Sequence, residues 1–196
     1  LVGQVKAGVP DALVGDPDRV RQVLLNLLAH TIKLTRRGEV VLRVERDSAS
    51  EEEATLHFTL ADTGPAAPRE QQDAIREALS SGKDPGARNL QNADLGLTIS
   101  AQLAQTMGGE ITFEGSEAKG NAFHFKAAFR VEPDATALAR SRPSVPRGLS
   151  AVVVAAGPAL RCALAETLEA WKMKAAPTDG ARAAGRVVLG HLGVVV

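Results

Sequence analysis

The chain holds a single cysteine, Cys162, a single tryptophan and no tyrosine among its 196 residues, and aromatic side chains make up only 3% of it. One cysteine excludes an internal disulfide and agrees with a reducing compartment. An excess of either charge is missing too. The 23 basic and 23 acidic residues cancel, whereas a nucleic-acid surface would show a basic surplus. No apolar run reaches the ~18 residues needed to span a bilayer, and the N-terminus does not have the pattern of a signal peptide. These gaps point to a cytoplasmic location, with no nucleic-acid partner and no membrane contact by this segment. Because the sequence starts at Leu1 inside an apparent strand, LVGQVKAGV, it reads as a piece of something longer. That leaves room upstream for the anchor of a membrane-bound sensor.

What is present is apolar content of 44%, ample for a packed core, in a length that suits one ordinary domain of ~100–150 residues and part of a second. Asp16-Pro17 opens a helix well, since aspartate caps and proline tolerates the first helical position. Val20, Leu24, Leu27 and Leu28, with Thr31 following, supply an amphipathic stripe. Gly38 after a basic last turn suits its end. Strand-like runs follow at 39–46 and 54–62. In the second, Leu56, Phe58 and Leu60 alternate with His57 and Thr59. The charged segment between them, DSASEEE, reads as a hairpin loop. Residues 64–93 are weakly patterned apart from a short helical patch around Gln71–Leu79, and so long a connection is usually functional. A helix at 94–107 closes at Gly108-Gly109. Strands ITFEG and NAFHFKAAFRV come next, with Phe123, Phe125, Ala127 and Phe129 on one face. Helices on one side of a mainly antiparallel sheet make an α+β, two-layer α/β sandwich.

Three stretches carry chemistry: DPDRVRQVLLNLLAHTIKLT at 16–35, ADTG at 61–64 and DLGLTIS at 94–100. Asn26, His30 and Lys33 stand at i, i+4 and i+7 of the first helix, a polar edge able to face a ligand while leucines pack behind it. Asp62-Thr63-Gly64 ends a strand. Gly96 and Leu97 lie at a helix start, where backbone N–H groups can meet an anion. Met107-Gly108-Gly109-Glu110-Ile111 and Lys119-Gly120-Asn121-Ala122-Phe123 follow. In this order and at these intervals, over roughly residues 9–131, the segments resemble the nucleotide-binding boxes of sensor histidine kinases.

The resemblance implies the Bergerat ATP-binding fold with ATP and Mg²⁺ as ligands. It implies nucleotide contacts from Asn26, His30, Lys33, Asp62, Gly64, Gly96 and Leu97, with Asn26 and His30 at the metal and the Asp62 carboxylate accepting from the adenine amine. As partners it implies dimerisation helices bearing the phosphoacceptor histidine, and a response regulator. The full-length kinase would be a homodimer, and this segment alone a monomer. No H-E phosphoacceptor motif occurs in the chain, and no residue is assigned as catalytic. His57 and His124 lie in strand patterns and read as structural, and His191 receives no role.

Several positions depart from the family pattern. The second asparagine of N-L-L-x-N-A-x-K-F-T, which holds Mg²⁺, is His30, and imidazole suits softer metals than magnesium. After D-x-G the family reads G-x-G, and here Pro65-Ala66-Ala67 stands, with less backbone freedom. The third box, G-x-G-L-G-L, is Asn92-Ala93-Asp94-Leu95-Gly96-Leu97. A carboxylate at Asp94, 4 Å from a phosphate charge at an effective dielectric of ~20, would cost about 4 kcal/mol, although aspartate also caps a helix well. The aromatic F-x-P-F box is absent near Ile75–Leu79.

Residues 135–148, rich in Pro, Ser and Arg, read as a linker. LSAVVVA then makes a buried strand and ALRCALAETLEAWKM a helix, with RVVLGHLGVVV a source of further strand. This resembles the start of a flavodoxin-like receiver domain, but Ala155-Ala156 replace the two acids that hold its Mg²⁺. About fifty residues are also too few for its whole core. The sequence therefore predicts an ATP-binding (HATPase) domain at 1–134, a linker at 135–148 and an incomplete receiver-like domain at 149–196. The function expected is that of a hybrid sensor kinase in two-component signalling, with weak or no nucleotide binding. The alternative is an active ATP:protein-histidine phosphotransferase domain acting on a histidine outside this chain.

Overall fold

The computed structural model describes residues 1–35, 37–50, 52–81, 95–116, 120–132, 149–178 and 193–195. The proposed linker, Asn92-Ala93-Asp94 and His191 lie outside the described residues. The elements are β1 (Val2–Val5), β2 (Leu13–Val14), α1 (Pro17–Leu34), β3 (Val40–Ala49), β4 (Glu53–Asp62), α2 (Arg69–Ser81), α3 (Leu95–Thr106), β5 (Glu110–Ser116) and β6 (Gly120–Val131). After these come β7 (Ser150–Val154), α4 (Pro158–Ala170), β8 (Lys174–Thr178) and β9 (Gly193–Val195).

Helix α1 starts where the sequence says it should. The Asp16 carboxylate accepts from the backbone N–H groups of Asp18 and Arg19, both at 3.1 Å, and Pro17 opens the helix. This satisfies two of the donors that a helix start leaves unpaired. The helix stops at Leu34, with Thr35 as its cap, and Gly38 turns the chain with φ at +129°. The innermost line of α1 is Val23, Leu27 and Thr31, all at most 1% exposed. Val20, Leu24 and Leu28 are only partly buried beside it, so the stripe is rotated from the expected one.

Strands run in the order β1-β3-β4-β6-β2, with β5 also on β6. Only β1 against β3 is parallel. The alternation along β4 and β6 sets one face inward. Ala54, Leu56, Phe58 and Leu60 meet Phe123, Phe125, Ala127 and Phe129 there, each at most 8% exposed. Phe58 and Phe125 oppose each other across the strands and stack at 5.1 Å. Helices α1, α2 and α3 close this core with Val23, Leu27, Ile75, Ala78, Leu79, Leu97, Ala101 and Ala104. This is the expected two-layer α+β sandwich. The segment DSASEEE is not a simple loop. Strand β3 runs on to Ala49 through an irregularity between Arg46 and Ser48, and β4 begins at Glu53.

The sheet's other face carries His57 and His124, with His57 Nε2 3.1 Å from His124 Nδ1. Burial first, then the neighbouring His124 and Lys126, hold the His57 imidazole below its ordinary 6.5, against the opposing pull of Asp47 and Glu45. As the pH falls through 6.5, unfolded chains therefore take up a proton that the native state refuses. Stability should be level above pH 6.5 and decline below it, read as Tm at pH 7.5 and 5.5. His57→Gln should flatten that interval. An unchanged slope in the variant would place the acid sensitivity elsewhere.

In the C-terminal unit β7 lies between β8 and β9, parallel to both, and α4 makes the crossover from β7 to β8. Ala151, Val152 and Val153 are buried in it. Strand β8 carries Pro177, tolerated because β8 is an edge strand. Trp171 caps the end of α4 and is half exposed, while all five phenylalanines lie in the first sheet. Among the described residues, no helix is long and apolar enough to cross a membrane.

Candidate functional site

Strand β4 delivers Asp62 to the end of the sheet, in step with the inward positions of Leu60 and Phe58, so its carboxylate enters the protein rather than solvent. Asp62 is 2% exposed. Its Oδ1 accepts from the Gly64 backbone N–H at 2.7 Å, and its Oδ2 accepts from the Asn121 side-chain amide at 3.0 Å. Asn121, itself 2% exposed, also donates to the Pro65 carbonyl at 3.1 Å, and its Oδ1 accepts from Ala67 N–H at 2.8 Å. One amide side chain from β6 thus staples the whole Asp62–Ala67 loop. Sequence reasoning counted residues 119–123 among the family-like segments without singling out Asn121. No local signal marked it, since β6 also carries His124, Lys126 and Arg130.

Glycine is required beside this loop. Gly120 has φ at +78°, and a Cβ there would lie 2.3 Å from the Asp62 carbonyl oxygen. A Cβ on Gly64 would stand 3.0 Å from Asp62 Oδ1.

On α1, Asn26 is half-buried, and its Nδ2 donates to the Gly96 carbonyl at 3.2 Å and to Ser100 Oγ at 3.1 Å. Ser100 Oγ donates to the same carbonyl at 2.7 Å. Asn26 and Gly96 are therefore brought together, and the start of α3 is bolted to α1. The remaining acceptor on that side chain is Oδ1. His30, also half-buried, sets its ring edge-on to Phe123, with centroids 6.3 Å apart at 67°. Lys33 is exposed on the last turn, and Leu97, 0% exposed, is a core residue.

The donor set can be tested against an adenine nucleotide. A carboxylate has about four lone-pair positions, and two local donors leave Asp62 able to accept from an exocyclic amine, so the base end fits. The metal end does not. A magnesium ion asks for an octahedron of oxygens, and α1 offers Asn26 Oδ1 beside an imidazole.

Residues 15–131 match the family described as histidine kinase-, DNA gyrase B- and HSP90-like ATPase. The chain belongs to that ATPase family. The match covers all three helices of the sandwich together with Asn26, Asp62, Gly64, Gly96 and Asn121. Among curated relatives, the sensory/regulatory protein RpfC of Xanthomonas campestris pv. campestris is 38% identical over 147 residues, 74% of this chain and 20% of RpfC. The sensor protein GacS of Pseudomonas syringae pv. syringae is 37% identical over 63% of this chain and 14% of GacS. The chain thus spans a fifth or less of the length of these relatives. Among solved structures, full-length ShkA in complex with AMPPNP superposes with a TM-score of 0.71 at 25% identity, covering 94% of this chain and 36% of ShkA. The ATPase fold is thereby established as the histidine kinase type.

Proposed function

We propose that this ATPase-family chain is the nucleotide-binding module of a sensor histidine kinase in two-component signalling, one that captures the adenine base but holds phosphate and magnesium poorly. The observation that carries the reading is the disposition of α1. Asn26, its amide hydrogens committed to Gly96 and Ser100, offers a single oxygen to a metal, and His30 packs on Phe123 where the family pattern places a second asparagine. Asp62, with Gly64 and Gly120 around it, takes the base. Lys33, exposed on the last turn of α1, is a cation for phosphate among the described residues. The module would signal mainly through docking, with dimerisation helices, a phosphoacceptor histidine and a response regulator as its partners. The ATPase domain is assigned to residues 1–134 and a receiver-like segment to 149–196. In that segment Ala155 and Ala156 leave no carboxylate pair for receiver chemistry. The similarity to RpfC and GacS, a sensory/regulatory protein and a sensor protein by name, and to a structure holding AMPPNP supports the setting.

Calorimetric titration of ATP and ADP, with Mg²⁺ and again with EDTA, tests this. Both nucleotides should bind alike and weakly, with Kd above about 100 μM or about 5–6 kcal/mol, and EDTA should change nothing. Micromolar, magnesium-dependent ATP binding would overturn the reading in favour of an active phosphotransferase. A complete absence of binding at millimolar nucleotide would remove the adenine site as well.

A further inference from the structure

Helix α4 has no capping side chain of its own. Its N-cap is Gly157 and its first helical residue Pro158. The carboxylate that fills the position comes from the other sheet: Glu39 Oε2 accepts from the Ala159 backbone N–H at 3.0 Å. Glu39 Oε1 fills the space above Gly157, where a Cβ would lie 2.0 Å from it. An acceptor with a full negative charge suits both the unpaired amides and the positive end of a helix.

The backbone of the same residue is tied to the adenine loop. Glu39 N–H donates to Thr63 Oγ1 at 2.9 Å, and Thr63 N–H donates to the Glu39 carbonyl at 3.0 Å. Thr63 stands between Asp62, which takes the base, and Gly64, whose N–H orients that carboxylate. Further along α4, two turns beyond Ala159, Glu166 is held by the Lys6 ammonium and the Gln4 amide of β1. Gln4 is 6% exposed and accepts from Arg43 Nε of β3 at 3.2 Å. The helix is thus fastened at two places to the β1–β3 edge, and one fastening continues by hydrogen bonds into the loop that orients Asp62.

We propose that Glu39 is a latch through which docking of the C-terminal unit orders the D-T-G loop, so that undocking α4 loosens Thr63 and Gly64 at a distance. Such coupling is reciprocal: whatever orders the loop also favours the docked helix. The functional sense of the latch rests on the nucleotide reading, but its existence does not, because both ends can be followed without nucleotide.

The test is amide hydrogen exchange on the full chain, free of nucleotide, carrying a change remote from the loop. Glu166→Lys places two cations together at the β1 contact and touches neither Glu39 nor Thr63. Exchange at Ala159 and at Gly64 should both accelerate by at least about fivefold, the lower end of ordinary couplings. Lys6→Glu combined with Glu166→Lys should restore both. Amides in the middle of β4 and β6 should keep their protection, which shows that the sandwich remains folded. Acceleration at Ala159 with Gly64 unchanged would overturn the proposal, since the helix would then dock without coupling. No change at either amide would overturn it as well, since the two fastenings would not act as one. A latch confirmed by exchange with no nucleotide heat would leave the coupling standing and remove only the adenine assignment.

Discussion

Asp62→Asn is expected to abolish measurable adenine-nucleotide binding and to lower stability by about 1–3 kcal/mol, the cost of one buried polar group left without a partner. The change is nearly isosteric, so the loss comes from chemistry rather than volume. Two donors converge on the two oxygens: Gly64 N–H on one, the Asn121 amide on the other. Only a carboxylate accepts from both. An amide must turn its own NH₂ toward one of them, and Asn121 cannot flip in response without losing Ala67 N–H from its Oδ1. Asp62→Ala strands both donors and should cost about 2–5 kcal/mol. Chemical denaturation gives the stability change, and competition with a fluorescent adenine nucleotide gives the binding change. Wild-type stability in Asp62→Asn would mean that the loop re-forms around an amide, and the stapled geometry would then not govern this end of the sheet.

Gly120→Ala should be at least as damaging, by about 2–5 kcal/mol. Two costs coincide there. A side chain at φ +78° is strained by about 1–2 kcal/mol, and the new methyl would lie 2.3 Å from the Asp62 carbonyl and 3.0 Å from the Gly64 carbonyl. Both neighbours are backbone, so relief requires the strand to shift, a further 1–3 kcal/mol or so. Gly108→Ala separates the two effects. Gly108 also has positive φ, at +66°, but a Cβ there has nothing within 4 Å, so only the smaller strain cost applies. Equal Tm losses in the two variants would show that the clash at Gly120 is relieved freely. A domain with ordinary stability of about 5–15 kcal/mol could survive either change, so the comparison can be made on folded protein.

The sandwich was readable because its rules are local. Asp16 with Pro17 marked a helix start, period-two alternation marked β4 and β6, and Gly38 and the Gly108-Gly109 pair marked ends. What failed to show depended on partners far along the chain. Asn121 binds residues 54 to 59 positions away, and nothing in Lys119-Gly120-Asn121 distinguishes a staple from an ordinary polar residue at a strand start. Glu39 reads only as the first residue of the strand-like run 39–46, and only the fold brings it to Ala159. The stretch 47–53 looked like a loop because charge usually means solvent. At the end of a sheet, though, exposed strand residues can carry charge, and Asp47 does so in an ion pair with Lys126 at 2.9 Å. Strand β8, KAAPT, has neither β-branched nor aromatic residues before its last position, so its pairing with β7 supplied what composition did not. Within the candidate site, D-T-G and Asn26 were legible as types. The spending of Asn26 on α3 was not, because it depends on the packing of two helices.

The placement of the few aromatic residues divides the molecule into an optically silent part and an emitting one. With no tyrosine in the chain and every phenylalanine in the first sheet, the one indole, Trp171, sits at the end of α4. Light absorbed near 295 nm therefore interrogates the C-terminal unit alone, without any label. A melting curve followed by that emission and one followed by far-ultraviolet dichroism weigh different portions of the same chain, so the gap between their midpoints measures how far the two portions unfold as one.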